Sequence, residues 1–141
     1  MVPMLVGWSW SLYVWDFKQS KLFVLDPVAM QHGEERLRDI HSNVLIRLHA
    51  ALTRCKEFYF LSLHTPMLDW PTEFVVVEGA HGYCSNSGLY TMFYARNFDG
   101  TTLTRLLTPE SCRNLLYQLL TTSGNMGLPP EPIAKALSGT N

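Results

Sequence analysis

A serine in the second half of the chain has the setting of an acyl-transfer nucleophile. Ser87 stands before Gly88 at the expected start of a helix, where the macrodipole favours negative charge. A serine hydroxyl attacks a carbonyl near neutral pH only with an adjacent base, and His81 carries the one nearby imidazole along the sequence. One hypothesis, kept as an alternative below, is therefore a hydrolase that pairs Ser87 with His81. Because nothing in the sequence places a carboxylate beside His81 to orient its ring, the simpler interpretation is that His81 is a polar loop residue.

Other reactive side chains give weaker indications. Cys84 lies three residues before Ser87 and is a second candidate nucleophile, although a packed or surface thiol needs no special explanation. His41 borders the apolar stripe of a predicted helix, where an edge or hydrogen-bonded core role is favoured over metal ligation. The other histidines outside the Ser87 segment also lack partners at metal-ligand spacing: His32, His49 and His64. No metal or cofactor is expected.

The first half of the chain predicts a hairpin and a long helix. Leu12 and Val14 alternate with more polar neighbours, as in a strand, and the run Leu22–Leu25 fits a second, buried strand before Pro27. A helix is predicted from Gly33 to about Cys55 because apolar residues recur there at steps of three and four. Its apolar stripe consists of Leu37, Ile40, Val44, Leu48, Ala51 and Cys55.

The second half is expected to be mostly helical. Residues 58–63 are ambiguous between a strand and a packed loop, residues 74–77 predict a strand, and residues 79–86 predict a turn-rich loop. A helix is expected over 87–98, and Thr108 before Pro109 is a strong helix start that leads to a stop at 123–125. A last short helix ends near Leu137. Strands first and helices after indicate an α+β fold.

Three segments together carry a resemblance to a known family. The segment Ser9-Trp10-Ser11-Leu12 precedes a strand that ends at Asp26, and Asn86-Ser87-Gly88 opens a helix. In this order and spacing they resemble the Ulp1/SENP family of cysteine proteases, which process and remove small ubiquitin-like modifiers. The resemblance covers residues 3 to about 100 and implies part of a papain-like fold, a small mixed sheet packed against several helices.

The resemblance assigns a role to each matched position. Ser9 stands where the family has its catalytic His, and Asp26, 17 positions later, stands where the family has its Asp. Trp10 matches the tryptophan beside the modifier's Gly-Gly tail. Ser87 occupies the position of the nucleophilic Cys, and His81 that of the oxyanion Gln. Because Ser9 cannot act as a base, the resemblance implies a family member that has lost its peptidase activity.

Composition limits the partners. The chain has 141 residues and a net charge of −1, with 11 basic and 12 acidic residues and no basic run, so no nucleic-acid partner is expected. The uncharged stretch from Met1 to Trp15 is too short to span a bilayer and lacks the features of a signal peptide, so no membrane association is expected. Three cysteines without a CxxC pair favour an intracellular location, nuclear or cytoplasmic.

The sequence is therefore interpreted as a single domain over residues 1–141. Its motif-bearing part spans 3–100, its helical part spans 101–141, and it is shorter at its N-terminus than the family's domain. The leading hypothesis is an inactive member of the ubiquitin-like-protein peptidase family with a ubiquitin-like modifier or its conjugates as partner. The alternatives are an active hydrolase using Ser87 with His81, a non-catalytic protein-binding module, and an unrelated α+β interaction domain.

Overall fold

The computed structural model describes residues 1–61, 70–77 and 86–137. They divide into two compact units, Met1–Leu107 and the residues from Thr108 onward. The strands are β1 (Val2–Val6), β2 (Ser9–Asp16), β3 (Lys21–Leu25) and β4 (Thr72–Val75). The helices are α1 (Glu34–Tyr59), α2 (Ser87–Asn97), α3 (Pro109–Thr121) and α4 (Glu131–Leu137), with a short 3₁₀ turn at Ala29–Gln31.

The strands form one mixed sheet in the order β1-β2-β3-β4. The pairs β1–β2 and β2–β3 are antiparallel, whereas β3 and β4 run parallel and are connected through α1. The predicted hairpin is confirmed as β2–β3, in register from Leu12 with Leu25 to Asp16 with Lys21. A mixed sheet with helices confirms the expected α+β class.

The first fifteen residues form two strands, β1 and most of β2. Val6 pairs with Ser9, and Gly7 and Trp8 form the two-residue turn between β1 and β2. Gly7 has a φ of 60°, the left-handed conformation that glycine adopts without steric cost. Because the turn is so tight, Trp8 stands at its tip and is 89% exposed.

One face of the sheet packs against α1. The central buried side chains are Tyr13, Trp15, Leu22 and Val24, and the α1 residues packed against them are Val44, Leu45, Leu48 and Leu52. The predicted stripe was therefore partly wrong, since the helix turns His41 and Leu45 inward and leaves Ala51 exposed. A polar histidine was not counted in the stripe, although its hydrogen bonds allow it to be buried.

Element boundaries differ from the predictions in two places. Helix α1 continues to Tyr59, so the strand or loop interpretation of residues 58–63 was wrong at its start, where no glycine or proline stops the helix. Strand β4 ends at Val75 and begins at Thr72, earlier than the apolar run alone predicted, because the parallel pairing with Leu22–Leu25 sets its register.

The remaining predicted helices are confirmed. Helix α2 begins at Ser87, and α3 has Thr108 as N-cap with Pro109 in its first turn. The short last helix ends at Leu137. In the part of the chain that the structure describes, none of the helices has the length and apolar character needed to cross a membrane.

Candidate functional site

Helix α2 is attached to strand β2 at Trp10. The Ser87 Oγ accepts a hydrogen bond from the Trp10 N–H at 3.0 Å, and the Thr91 Oγ1 donates to the Trp10 carbonyl at 3.0 Å. Ser87 and Thr91 are four residues apart, so they lie one helical turn from each other on the same side of α2. Both backbone groups of Trp10 are thereby bonded to side chains of one helix.

The end of β3 explains why Trp10 needs these partners. The β2–β3 ladder reaches Leu12 paired with Leu25, and Pro27 then carries the chain away from the sheet. Trp10 lies two residues beyond that last pair, where a backbone N–H and C=O would otherwise lose their ladder partners. The hydroxyl groups of Ser87 and Thr91 take the place of the missing strand as hydrogen-bond partners of Trp10. The amino end of α2 is therefore bonded to the edge of β2 that β3 leaves free.

The side chain of Trp10 covers the start of α2. A Cβ added at Gly88 would lie 3.5 Å from the indole Cδ1, an ordinary van der Waals distance. Ser87 is buried, whereas the Trp10 side chain is 42% exposed. The tryptophan therefore forms part of the surface beside the amino end of α2, where the Ser87 hydroxyl is buried.

Each carboxylate oxygen of Asp26 accepts a hydrogen bond. Its Oδ1 accepts from the Val28 N–H at 2.8 Å, and its Oδ2 lies 2.9 Å from the His41 Nε2. Asp26 is 3% exposed and His41 is fully buried. A carboxylate only accepts, so Nε2 of His41 donates this bond. The carboxylate thus joins the end of β3 to the middle of α1.

His41 continues this chain of bonds to β2. Its Nδ1 lies 2.6 Å from the Tyr13 hydroxyl, which donates to the ring when the imidazole is neutral with its proton on Nε2. The rings of Tyr13 and Phe74 flank the imidazole, each with a centroid distance of 5.7 Å. Burial, and secondarily the charge of Asp26, raises the pKa of the Tyr13 phenol far above its usual value. Strands β2, β3 and β4 and helix α1 all meet at this imidazole.

Ser9 and Ser11 share the α1 side of the sheet with Tyr13, because side chains alternate along a strand. The β2–β3 pairing ends at Leu12 with Leu25, so Asp26 follows directly after the last paired residue of β3. Both serine hydroxyls are buried, and neither has a hydrogen-bond partner among the described residues. The Asp26 carboxylate accepts its side-chain hydrogen bond from His41.

The structure therefore forms two separate groups of hydrogen-bonded residues, each of which includes a residue of β2. Trp10, Ser87 and Thr91 form the first, and Tyr13, Asp26 and His41 form the second. Residues 78–85, which include His81 and Cys84, lie outside the described part of the chain. Within that part, no cluster of His, Cys, Asp or Glu is suited to hold a metal ion.

Asp26 and His41 are the residue types of a catalytic dyad, but the His41 ring is not accessible to a substrate. Both ring nitrogens of His41 are bonded within the core, and none of the ring reaches solvent. A general base must come within hydrogen-bond distance of the substrate proton that it abstracts, and the buried ring of His41 does not. Its role in this position is structural. The sequence favoured an edge or hydrogen-bonded core role for His41, and the structure shows the core role; the sequence gave no indication that the partner would be Asp26.

Comparisons with models of protein families, with curated proteins and with solved structures found no match to this chain.

Proposed function

We propose that this chain is a non-catalytic relative of the Ulp1-like peptidases that binds the C-terminal tail of a ubiquitin-like modifier over Trp10. The observation that carries the proposal is the attachment of α2 to β2, in which the hydroxyl at the nucleophile position accepts the Trp10 N–H. That contact sets a half-exposed indole beside a helix amino end, the combination that the family resemblance implies for a tail-binding surface.

Loss of catalysis is supported by the roles of the matched residues. Ser9 has no group that accepts a proton near neutral pH, and it is buried. Asp26, which would orient a base, is bonded to Val28 and His41. Ser87 contributes to the junction between helix and sheet. Each position thus has a structural role or a side chain unsuited to the reaction.

The proposal is tested with a ubiquitin-like protein ending in Gly-Gly, titrated into the isotopically labelled chain and followed by NMR. Saturable binding is expected. Trp10→Ala should weaken it at least about tenfold, because a central aromatic contact of this kind contributes about 1.4 kcal/mol or more. Trp8→Ala is the matched control, since Trp8 is a nearby tryptophan exposed at the turn. No binding, or equal loss in both variants, would contradict the proposal.

Activity is tested separately with the same protein carrying an electrophilic C-terminal group. No covalent adduct is expected. An adduct at Ser87 that disappears in Ser87→Ala and in His81→Ala would instead establish the Ser–His hydrolase. Since Ser87→Ala also removes the acceptor for the Trp10 N–H, its folding is checked by circular dichroism beside the probe reaction.

A further inference from the structure

We infer that the free edge of β4 is a binding site for an extended, acidic segment of a partner protein, which adds to the sheet as a fifth strand. The inference goes beyond the proposed function, because Trp10 lies on β2 and strand β3 separates β2 from β4. The residues that carry it all belong to Met1–Leu107, the first of the two compact units.

The pairing of β3 with β4 shows which backbone groups of β4 point away from the sheet. Leu22 lies opposite Thr72 and donates its N–H to the Pro71 carbonyl at 3.0 Å. In a parallel pair a residue bonds to the two residues that flank its opposite neighbour, so Pro71 and Glu73 face β3. By alternation the N–H and C=O groups of Thr72 and Phe74 face outward. Among the described residues, these four groups have no hydrogen-bond partner.

The other edge of the sheet is less suited to an added strand. Val6 and Ser9 close the two-residue turn between β1 and β2 and bond to each other, so alternation turns Pro3 and Leu5 outward on β1. Proline has no N–H to donate, and natural proteins use it to protect a sheet edge from further pairing. Strand β4 contains no proline and keeps both of its outward donors.

Two hollows adjoin β4 and the residues next to it. The first has a volume of about 360 Å³ and the second of about 440 Å³. Residues 71–74 line the first, residues 75–77 line the second, and Val76, which is 55% exposed, lines both. Open space therefore follows the chain over seven residues. An extended segment can occupy such a space while its backbone bonds to the strand edge, a common mode of peptide recognition.

The charges around the hollows favour an acidic segment. Arg105 is the charged residue among those that line the second hollow, and it is exposed. No carboxylate of a described residue lies within ion-pair distance of it. In the first hollow the lysine and both carboxylates are already paired, Lys21 with Glu73 at 2.9 Å and Glu34 with Arg38 at 2.6 Å. An acidic side chain of the added strand therefore finds its partner in Arg105.

The first experiment measures amide hydrogen exchange by NMR in the unaltered protein. The Thr72 and Phe74 amides should exchange much faster than those of Glu73 and Val75, which face β3. This difference should hold at every protein concentration. Protection of Thr72 and Phe74 that grows with concentration, together with a doubled mass, would make a second copy the occupant. Protection in the monomer would mean that the chain itself covers the edge. Either result overturns the inference.

The second experiment titrates the protein with a capped peptide of alternating threonine and valine that carries a glutamate at each end. Saturable binding is expected, with slowed exchange at Thr72 and Phe74 and no change at Leu5. The same peptide methylated on its backbone nitrogens should bind at least about tenfold more weakly, because it cannot donate to the strand edge. No binding, equal binding of the methylated peptide, or protection at Leu5 instead would contradict the inference.

A charge reversal tests the role of Arg105. Arg105→Glu should weaken binding of the glutamate peptide about twofold or more and make a peptide with lysine ends the better ligand. Arg47→Glu is the matched control, because Arg47 is an exposed arginine of α1 that lines neither hollow. An unchanged preference in Arg105→Glu, or the same change in the control, would refute the selection for acidic segments. The peptides carry no Gly-Gly tail, so failure here is distinct from failure of the proposed tail binding.

Discussion

Because of Tyr13, the free energy of unfolding is expected to depend on pH in the alkaline range. Its phenol is buried beside Asp26, and both effects favour the neutral form, so its folded pKa lies above the unfolded value. The folded state therefore holds the phenolic proton more tightly than the unfolded state. This contribution to stability is complete below the unfolded pKa of about 10 and is lost as pH rises above it.

The expected result is a steeper loss of stability above about pH 10 in the unaltered protein than in Tyr13→Phe. Near pH 8 the variant should be less stable by about 1 kcal/mol or more, because it loses the bond to His41. Urea unfolding across this range measures both effects. Tyr117→Phe is the control, since Tyr117 is exposed. A constant difference between the unaltered protein and Tyr13→Phe would contradict the assignment.

Ser87 gives a second prediction at the scale of single residues. Ser87→Ala removes the acceptor of the Trp10 N–H and should lower the free energy of unfolding by about 1–3 kcal/mol. Thr91→Val, which removes the donor to the Trp10 carbonyl, should act in the same direction. Ser42→Ala is the control, because Ser42 is an exposed helix serine bonded within its own helix. If Ser87→Ala unfolds at the same urea concentration as the control, the hydroxyl has no structural role.

At the scale of elements, the loop after α2 depends on one glycine. Gly100 has a φ of 101°, and an added Cβ would lie 3.2 Å from Asp16 Oδ2. Asp16 in turn orders the β2–β3 turn by accepting the Lys18 and Gln19 N–H groups, and these bonds lower its pKa, the Gln19 bond most. The glycine therefore allows the loop and the hairpin turn to approach closely.

Gly100→Ala should destabilise the protein by about 1–3 kcal/mol through backbone strain, measured by thermal and urea unfolding. Gly33→Ala is the matched control, because Gly33 has a φ of −71° and no atom within 4 Å of an added Cβ. The control should change stability by less than about 1 kcal/mol. Equal effects in both variants would show that the Gly100 conformation is not required.

At the scale of the whole molecule, the proposed function predicts that more than two substitutions are needed to give this chain peptidase activity. Ser9→His/Ser87→Cys should release at most a trace of product from a ubiquitin-like precursor. The resemblance matches His81 to the oxyanion glutamine of the Ulp1-like enzymes, and one such donor contributes about 100- to 1,000-fold. Turnover by the double variant at the rate of active Ulp1-like enzymes would show that the residue at position 81 is not limiting.

Some features of this protein follow from short stretches of sequence. Strand β2 was predicted from alternating polarity and β3 from a short apolar run, with a polar turn between them. Thr108 before Pro109 starts α3, where the Thr108 side chain accepts the Ser111 N–H. These signals act between residues a few positions apart, so the elements that they define can be predicted from the sequence. The start of α2 at Ser87 was also predicted from the residues around it.

The tertiary structure alone decided which polar groups meet. Ser87 bonds to Trp10 across 77 positions of the chain, because α2 fills the place where β3 has ended. His41 bonds to Asp26 across 15 positions and to Tyr13 across 28, because packing of α1 turns that face of the helix inward. The sequence by itself determined the residue types and most of the elements. It could not determine these partners, since a buried polar side chain bonds to whichever group the packed fold brings within about 3 Å.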